Sequence, residues 1–489
     1  MPEGSSSYDC AVVGAGPGGY VAAIRAAQLG MRTAVIESDR VGGRCLNYAC
    51  IPAKAVLRSA DLLSEVRDAG EFGLRVADVQ VDYPAIQERR AKVVSTLTSG
   101  VAGLFRKNGI ELIEGEATLA PRAGTGAGAV AGGATGADTD TGGGATGAGA
   151  AIALRVGERE ISAAKVVLAT GSVKMAIPGV EFSARVIGTE EAWALPEVPA
   201  RMAVVGAGAS GAEIASAFAR LGSEVMLFEM LDRVLPTEDG DISRLVKRGL
   251  ERQGIQIHTA TPVRDVQVDE QGCAFVHGER DEPARVDYLV IAAGRTPDVD
   301  ALGLAAAGVE LDERRMVRVD GALRTSRDGV YAIGDLVAGP ALAHKASDEG
   351  IIAVEDAAGL PTHPLSLVDI PRATFCTPNV GSFGLTEEQA RQQGHDVVVG
   401  KVPYGAVGGG TVYGDRSGLV KVVGDTRYGE LLGAHIVGSR ATELIQELVN
   451  IRALEGGFPE LARIVHGHPT LSEAVMEAGR AADGWLIHG

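Results

Sequence analysis

Several features that mark whole classes of protein are scarce in this sequence. Five cysteines in 489 residues, scattered along the chain, do not make the disulfide framework of a small secreted domain. Basic residues number 46 against 63 acidic ones, a formal net charge of −17. That balance argues against a nucleic-acid or other polyanion-binding surface. No stretch approaches the roughly 18–20 uninterrupted apolar residues that span a bilayer, so no membrane segment is expected. The opening "MPEGSSSYDCAVVGAGPGG" has no basic residues ahead of its apolar run, unlike a secretory signal. The expected location is cytoplasmic, where a close pair of thiols is more often catalytic than structural. What is present is ordinary globular composition, 46% hydrophobic and 22% charged, with length for two to four domains.

Glycine carries the first positive signal. "YDCAVVGAGPGGYVAAIRAAQLGMRTAVIES" reads as strand, glycine turn, amphipathic helix and second strand. Gly14 permits the tight turn, Gly16 lets the backbone approach a pyrophosphate, and Gly19 allows close helix–strand packing. The helix N-terminus offers free N–H groups to the phosphates. Glu37 follows at about the 20-residue spacing where a carboxylate meets ribose hydroxyls. The pattern recurs in "RMAVVGAGASGAEIASAFARLGSEVMLFEM", with Gly206, Gly208, Gly211 and a terminal Glu229. Glu229 suits an adenosine ribose 2′-OH and repels a 2′-phosphate, which predicts NAD over NADP; Arg233 nearby is the opposing feature.

A late segment, "DGVYAIGDLVAGPALAHKASDEG" (328–350), is a β-like run ending at Gly334-Asp335 before a small-residue helix. An aspartate there can meet a sugar or ribitol hydroxyl. One dinucleotide unit at the start, another mid-chain and this late return match a flavoprotein built as FAD domain, NAD domain, FAD return and C-terminal domain. "LATGS" (168–172) and "AAGRTPD" (292–298) are the apolar–glycine crossings expected between such domains, though each alone also reads as a strand end with a turn.

Against that frame "GGRCLNYACIPAK" (42–54) gains meaning. Cys45 and Cys50 directly follow the first dinucleotide unit. They are too far apart for a CxxC pair, and no zinc-site ligands accompany them, so no metal site is expected. An unstrained helix would point them apart, but a distorted one would let them bond, and Pro52 is expected to disrupt the helix just beyond Cys50. Beside a flavin such a pair serves as a two-electron relay; two buried structural cysteines are the plain alternative. A proton carrier is offered by "RIVHGHPTLSEAVMEA" (463–478), with His468 and Glu473 at a helix start. A carboxylate on one imidazole nitrogen fixes the tautomer and raises the basicity of the other. His466 is the rival, expected to be a solvated surface residue.

The chain as a whole resembles the pyridine nucleotide–disulfide oxidoreductases of the glutathione reductase type, and within them the dihydrolipoamide dehydrogenases. The motifs are "GGRCLNYACIPAK", "AIGDLVAGPALAHKASDEG", "TPNVGSFGLTEEQA" and "HGHPTLSEA". The resemblance implies an α/β fold of two Rossmann-like domains, for FAD and NAD, plus a C-terminal α+β dimerisation domain. The expected segments are 1–173, 174–297, 298–366 (FAD return) and 367–489. It implies Cys45 as the interchange thiol, Cys50 as the one nearest the flavin, and His468, oriented by Glu473, as acid–base for the other subunit's disulfide. Lys54 would sit beside flavin N5 and pair with Glu213. Glu37 and Asp335 would hold the FAD ribose and ribitol. Further cofactor contacts are expected at Gly43, Gly115, Ala169, Thr170, Gly171, Ala341, Leu342, Ala343, His344 and Gly294. The implied partners are a second copy of the chain, free dihydrolipoamide or a lipoyl-bearing protein, and the core of a 2-oxoacid dehydrogenase complex. Arg44, Ala49, Ala53, Ala209 and Asn379 depart from the common residues of that group, and none removes a reacting group.

The stretch 123–150 contains only Gly, Ala, Thr, Asp and one Val. It cannot bury enough apolar area to offset ordering entropy, so a surface loop inserted into the FAD domain between two strands is expected. A lipoyl-domain linker is the competing idea, but no lipoyl-type domain adjoins it.

Overall fold

The computed structural model describes residues 6–122, 151–279 and 282–489. The insertion 123–150 lies outside the described residues, but its flanks do not. Strands Ala117–Leu119 and Ile152–Val156 pair antiparallel with Leu119 opposite Leu154, and the Ala120 N–H donates to the Ala153 carbonyl at 3.0 Å.

The chain divides into two units: residues up to 47 with 95–173 and 295–365, and residues 48–94 with 174–294 and 366–489.

The first unit is built on a seven-stranded sheet. Strands Glu111–Glu114, Thr33–Glu37, Ser6–Val13 and Arg159–Leu168 lie side by side and parallel. The long strand Arg159–Leu168 pairs along its first half with the antiparallel Ile152–Val156 and along its last residues with the parallel Val330–Ala332. The late segment thus returns to the sheet begun by the N-terminus. In the central parallel strands consecutive residues are buried on both faces, Ala11–Val13, Ala34–Ile36 and Val166–Leu168, as a parallel sheet requires. Helices Pro17–Gln28 and Ala343–Ala357 pack against each other through glycine: a Cβ on Gly350 would stand 2.7 Å from the Gly18 carbonyl oxygen.

The second unit holds a five-stranded parallel sheet in the order Gln256–His258, Glu224–Phe228, Arg201–Val205, Tyr288–Ile291, Val186–Gly188. It also holds a five-stranded antiparallel sheet ordered Arg372–Thr374, Val380–Gly384, Glu430–Val437, Leu419–Asp425, Val397–Pro403. One core joins helix Cys50–Arg67, through Ala53, Val56 and Leu57, to Phe218 and Val380. A second core packs helices Ala441–Ala453 and Glu473–Ala482 on the antiparallel sheet through Ile445, Leu448, Val475 and Ala478. Among the described residues no helix is long and apolar enough to cross a membrane.

Candidate active site

The first glycine turn is shaped by backbone contact. Gly14 has φ +103°, and a Cβ there would stand 2.4 Å from the Ala169 carbonyl oxygen. A Cβ on Gly19 would lie 1.9 Å from the Gly14 carbonyl oxygen, and one on Gly43 2.6 Å from the Gly16 Cα. A Cβ on Gly16 itself would meet nothing within 4 Å. Glu37 takes the Ala15 N–H at 2.7 Å and the Asp39 N–H at 2.9 Å, which anchors its carboxylate at the end of its strand. Gly115, at φ +139°, donates its N–H to the Glu37 carbonyl at 2.9 Å.

The second turn repeats the first. Gly206 has φ +103° and a would-be Cβ 2.5 Å from the Ala292 carbonyl oxygen. Gly211 closes on Gly206, and Gly208 faces open space. Glu229 takes the Ala207 N–H at 2.7 Å and the Leu231 N–H at 3.0 Å, the same offsets as Glu37. Gly294 bonds the Met175 N–H through its carbonyl.

At the carboxyl ends of the first unit's strands, Ala169 N–H donates to Val13 and Ile333 N–H to Leu168. Those links bring Gly14, Ala169–Gly171 and Asp335 to one edge of the sheet. Thr170 Oγ1 donates to the Asp298 carbonyl at 2.7 Å, and Ser172 Oγ donates to Asp335. Arg295 Nε donates to Ser172 Oγ at 2.8 Å. Gly334 is clamped by a buried pair that sequence reading did not single out. Its N–H donates to Glu349 at 2.7 Å and its carbonyl accepts from Lys345 Nζ at 2.9 Å. Burial pushes the Glu349 carboxyl up, against the pull of Lys345. Ala341 and Leu342 precede helix Ala343–Ala357, which carries His344 in a first turn without side-chain cap or acid.

The thiol segment corrects one expectation. Cys45 lies in the short helix Gly43–Asn47, and Cys50 begins the next helix, Cys50–Arg67; both residues are half-buried. The break falls before Cys50, at Ala49 with φ −124° and ψ −88°. Pro52 does not disrupt the helix, because it sits in the first turn, where its missing N–H would have had no intrahelical partner. Burial first, and then Cys45, push up the Tyr20 phenol.

One turn beyond Cys50, Lys54 Nζ lies 2.9 Å from each carboxylate oxygen of Glu213. Glu213 is buried on helix Ala209–Leu221 and also takes the Phe375 N–H at 2.9 Å. The Lys54 ammonium stands 4.7 Å above the Phe375 ring centroid.

His468 Nδ1 is 2.9 Å from Glu473 Oε1, and the Thr470 N–H donates to Glu473 Oε2 at 2.8 Å. Burial would raise the Glu473 carboxyl, but those two partners hold it below its ordinary value. The His468 side chain is 75% exposed. His466 is not the solvated residue expected: its side chain is 5% exposed and bonded to Glu447. The partner comes from helix Ala441–Ala453, so no nearby spacing in the sequence could reveal it.

Residues 8–350 match the pyridine nucleotide-disulphide oxidoreductase family, and residues 370–479 match its dimerisation domain. The chain belongs to the pyridine nucleotide-disulphide oxidoreductases. The dihydrolipoyl dehydrogenase of Chlorobaculum tepidum is 40% identical to it over 482 residues, 97% of each chain. That of Mycobacterium tuberculosis is 40% identical over 488 residues, covering 98% of this chain and 99% of the relative. That of Bacillus subtilis is 36% identical over 499 residues, 99% and 100% of the two chains. Among solved structures, the HOCl-induced flavoprotein disulfide reductase RclA from Escherichia coli, as a Cu(II) complex, aligns with TM-score 0.82 and 26% identity over 97% of this chain and 99% of its own. LpdA from Mycobacterium tuberculosis shares the fold, with TM-score 0.85 and 24% identity over 96% and 99%.

As a pyridine nucleotide-disulphide oxidoreductase the chain is an enzyme working with FAD and NAD(H). Its two glycine turns fit such dinucleotides. Helices Pro17–Gln28 and Ala209–Leu221 both start at a glycine with no side-chain cap and no acid in the first turn. The positive ends of these helices are thus uncompensated by the chain, beside Gly16 and Gly208, where a Cβ would meet nothing within 4 Å, as a pyrophosphate requires.

Proposed function

We propose that the protein is a dihydrolipoyl dehydrogenase: a homodimer that oxidises dihydrolipoyl groups, free or carried on a 2-oxoacid dehydrogenase complex, with NAD⁺ as final acceptor. The observation that carries this reading is the His468–Glu473 pair. Glu473 occupies one ring nitrogen at 2.9 Å while the side chain stays 75% exposed. The second nitrogen, Nε2, then takes the proton of an incoming thiol.

The chemistry runs through sulfur. A thiolate, not a thiol, attacks a disulfide. His468 Nε2 removes the proton from one dihydrolipoyl thiol, and the resulting thiolate attacks Cys45 in a Cys45–Cys50 disulfide of the partner subunit. A substrate–Cys45 bond forms, the Cys45–Cys50 bond breaks, and Cys50 leaves as thiolate. The second substrate sulfur attacks the first and releases cyclic lipoyl disulfide, and the displaced Cys45 sulfur takes up the second sulfur's proton. Two electrons and two protons have left the substrate. FAD held at the Gly14–Gly19 turn, with Glu37 and Asp335 for its ribose and ribitol hydroxyls, would supply the two-electron centre between the dithiol and NAD⁺. Glu213 fixes Lys54 beside the segment that carries Cys50, and Glu229 selects the nicotinamide dinucleotide without a 2′-phosphate.

The test is steady-state turnover with dihydrolipoamide and NAD⁺, set beside glutathione disulfide with NADPH. Faster turnover of glutathione disulfide would make the protein another flavoprotein disulfide reductase, the reading that its likeness to RclA favours. Cys45→Ser should abolish dihydrolipoamide oxidation yet keep FAD and NADH-driven dye reduction. Dihydrolipoamide turnover surviving in that variant would remove the assignment of the interchange thiol.

A further inference from the structure

His466 stands two residues before His468 and is held in the opposite manner. Nδ1 lies 2.9 Å from the Ile464 carbonyl oxygen, and Nε2 lies 2.5 Å from Glu447 Oε1. A carbonyl and a carboxylate only accept hydrogen bonds. Both ring nitrogens are thus engaged, and the charged form of the ring, a donor at both, suits this pair of acceptors. The Glu447 hydrogen bond raises its pKa, against burial and against Arg480. With no nitrogen to spare and 5% of its side chain exposed, His466 cannot serve as the base. It can hold the backbone of the residue that does.

Residues 462–472 form an irregular stretch between helices Phe458–Leu461 and Glu473–Ala482. His468, the exposed side chain argued to move the proton, sits in its middle. On one side the stretch is tied to helix Ala441–Ala453 by the His466–Glu447 pair. On the other it is tied by the Thr470 N–H to Glu473, and Thr470 Oγ1 donates to the Gly467 carbonyl at 2.7 Å. We infer that His466 is a positioning residue for His468, its ion pair with Glu447 fixing the backbone from which the base projects. The inference rests on the reading of His468 as the base.

The experiment uses the holoenzyme and follows the dihydrolipoamide half-reaction by stopped flow, beside flavin content and NADH-driven dye reduction. A misplacement of about 1 Å can cost on the order of 100-fold in rate. His466→Gln and Glu447→Gln are therefore expected to slow this half-reaction by about 10- to 100-fold, with the other two readouts at wild-type level. Glu447→Asp, which keeps the charge, should recover most of the rate, whereas Glu447→Gln should not. Glu447 is partly exposed, so its variants test the pair even if His466→Gln fails to fold. In a His468→Gln background the same changes should add little, because the group they position is gone. Additive losses there, or an unaltered half-reaction in the single variants, would overturn the inference. A harmless His468→Gln would remove the functional reading itself, a separate outcome.

Discussion

Lys54 Nζ is equidistant, at 2.9 Å, from the two carboxylate oxygens of Glu213, so one buried acid holds a single cation from a neighbouring helix. Seven residues further along each helix the polarity is reversed, with Asp61 accepting from Arg220. Helices Cys50–Arg67 and Ala209–Leu221 are thus joined by two crossed ion pairs. Breaking one member of a buried pair strands a charge, whereas replacing both is far milder. Lys54→Met is expected to cost roughly 2–3 kcal/mol, less than the 3–5 kcal/mol of a fully buried broken pair, because 34% of the Lys54 side chain is exposed against 6% of Glu213. The double variant Lys54→Met/Glu213→Leu should recover most of that loss. Urea unfolding of the holoenzyme reads it directly, and a double variant no more stable than the single would refute the stranded charge.

Glu229 cannot turn away from a ligand, because the Ala207 and Leu231 N–H groups hold both of its oxygens. A fixed carboxylate repels a 2′-phosphate. The kcat/KM for NAD⁺ is expected to exceed that for NADP⁺ by at least about tenfold, or 1.4 kcal/mol. Glu229→Ala should narrow the ratio, mainly by weakening NAD⁺. Equal use of both nucleotides by the wild type would mean that the nearby Arg233 outweighs the acid.

Deleting residues 123–150 tests whether the insertion matters. The strands on either side are already hydrogen-bonded from Leu119–Leu154 outward, with Ala120 and Ala153 in contact. A short turn can therefore close them, and loop length enters closure entropy only as about 0.6 kcal/mol per doubling. A shorter loop costs less to close, so flavin content and turnover are expected to stay within about twofold of wild type. Loss of flavin from the shortened chain would give the insertion a structural role.

The legible parts of this protein are those whose chemistry is local in sequence. Gly14, Gly16, Gly19 and Glu37 lie within one strand–helix–strand unit, and their roles follow from turn sterics and spacing. His468 and Glu473 are five residues apart, close enough to be read as a pair. Glu447 and His466 are 19 apart on different elements, so the looser spacing of His466 to Glu473 made it look solvated when tertiary packing covers its side chain. The same distance hid Ser172 and Arg295 behind Asp335, and the hold of Lys345 and Glu349 on Gly334. Pro52 misled for another reason. Proline breaks a helix interior but is tolerated in a first turn, and only the backbone reveals where that turn starts.

Across the antiparallel sheet of the second unit, Arg372, Ser382, His435, Lys421 and Lys401 form one rung. Lys421, 2% exposed, donates to Asp239 at 2.8 and 2.9 Å, to Asp241 at 2.9 Å and pairs with Glu387 at 2.8 Å. Burial alone would raise Asp239 and Asp241, but hydrogen bonds from Lys421, and from Lys401 to Asp241, hold both down. Burial likewise opposes the Lys421 charge, and its three acids nonetheless raise its pKa. Depressed carboxylates give stability that is complete above their unfolded values, about 4, and is lost as pH falls through the lower folded values. The raised ammonium gives stability that is complete below about 10.4 and is lost as pH rises through its folded value. Lys421→Met should therefore destabilise by about 3–5 kcal/mol near pH 7. The deficit should shrink towards pH 4 as the stranded acids take up protons. Urea midpoints at neutral and acidic pH test this, and a deficit independent of pH would contradict it.

His468→Gln should slow the dihydrolipoamide half-reaction far more than hydride exchange with NAD⁺. Only the sulfur half needs a base: a dihydrolipoyl thiol is mostly protonated at neutral pH, and its thiolate is the attacking species. Losing general-base help costs typically on the order of 10²–10⁴-fold, whereas hydride exchange needs no base and should change little. Glu473→Gln should act in the same direction but more mildly, since the Thr470 N–H and the ring still hold the side chain in place. The depressed Glu473 carboxyl stays ionised through the working range. A stricter test uses the second subunit. In a mixed dimer of Cys45→Ser with His468→Gln chains, one site carries both defects and the other carries none, provided that the base serves the partner's disulfide. Subunit exchange between two inactive homodimers should then restore about half the activity of a normal dimer per mixed dimer, one intact site of two. If mass spectrometry confirms the mixed dimers and no activity returns, the base acts within its own chain or not at all.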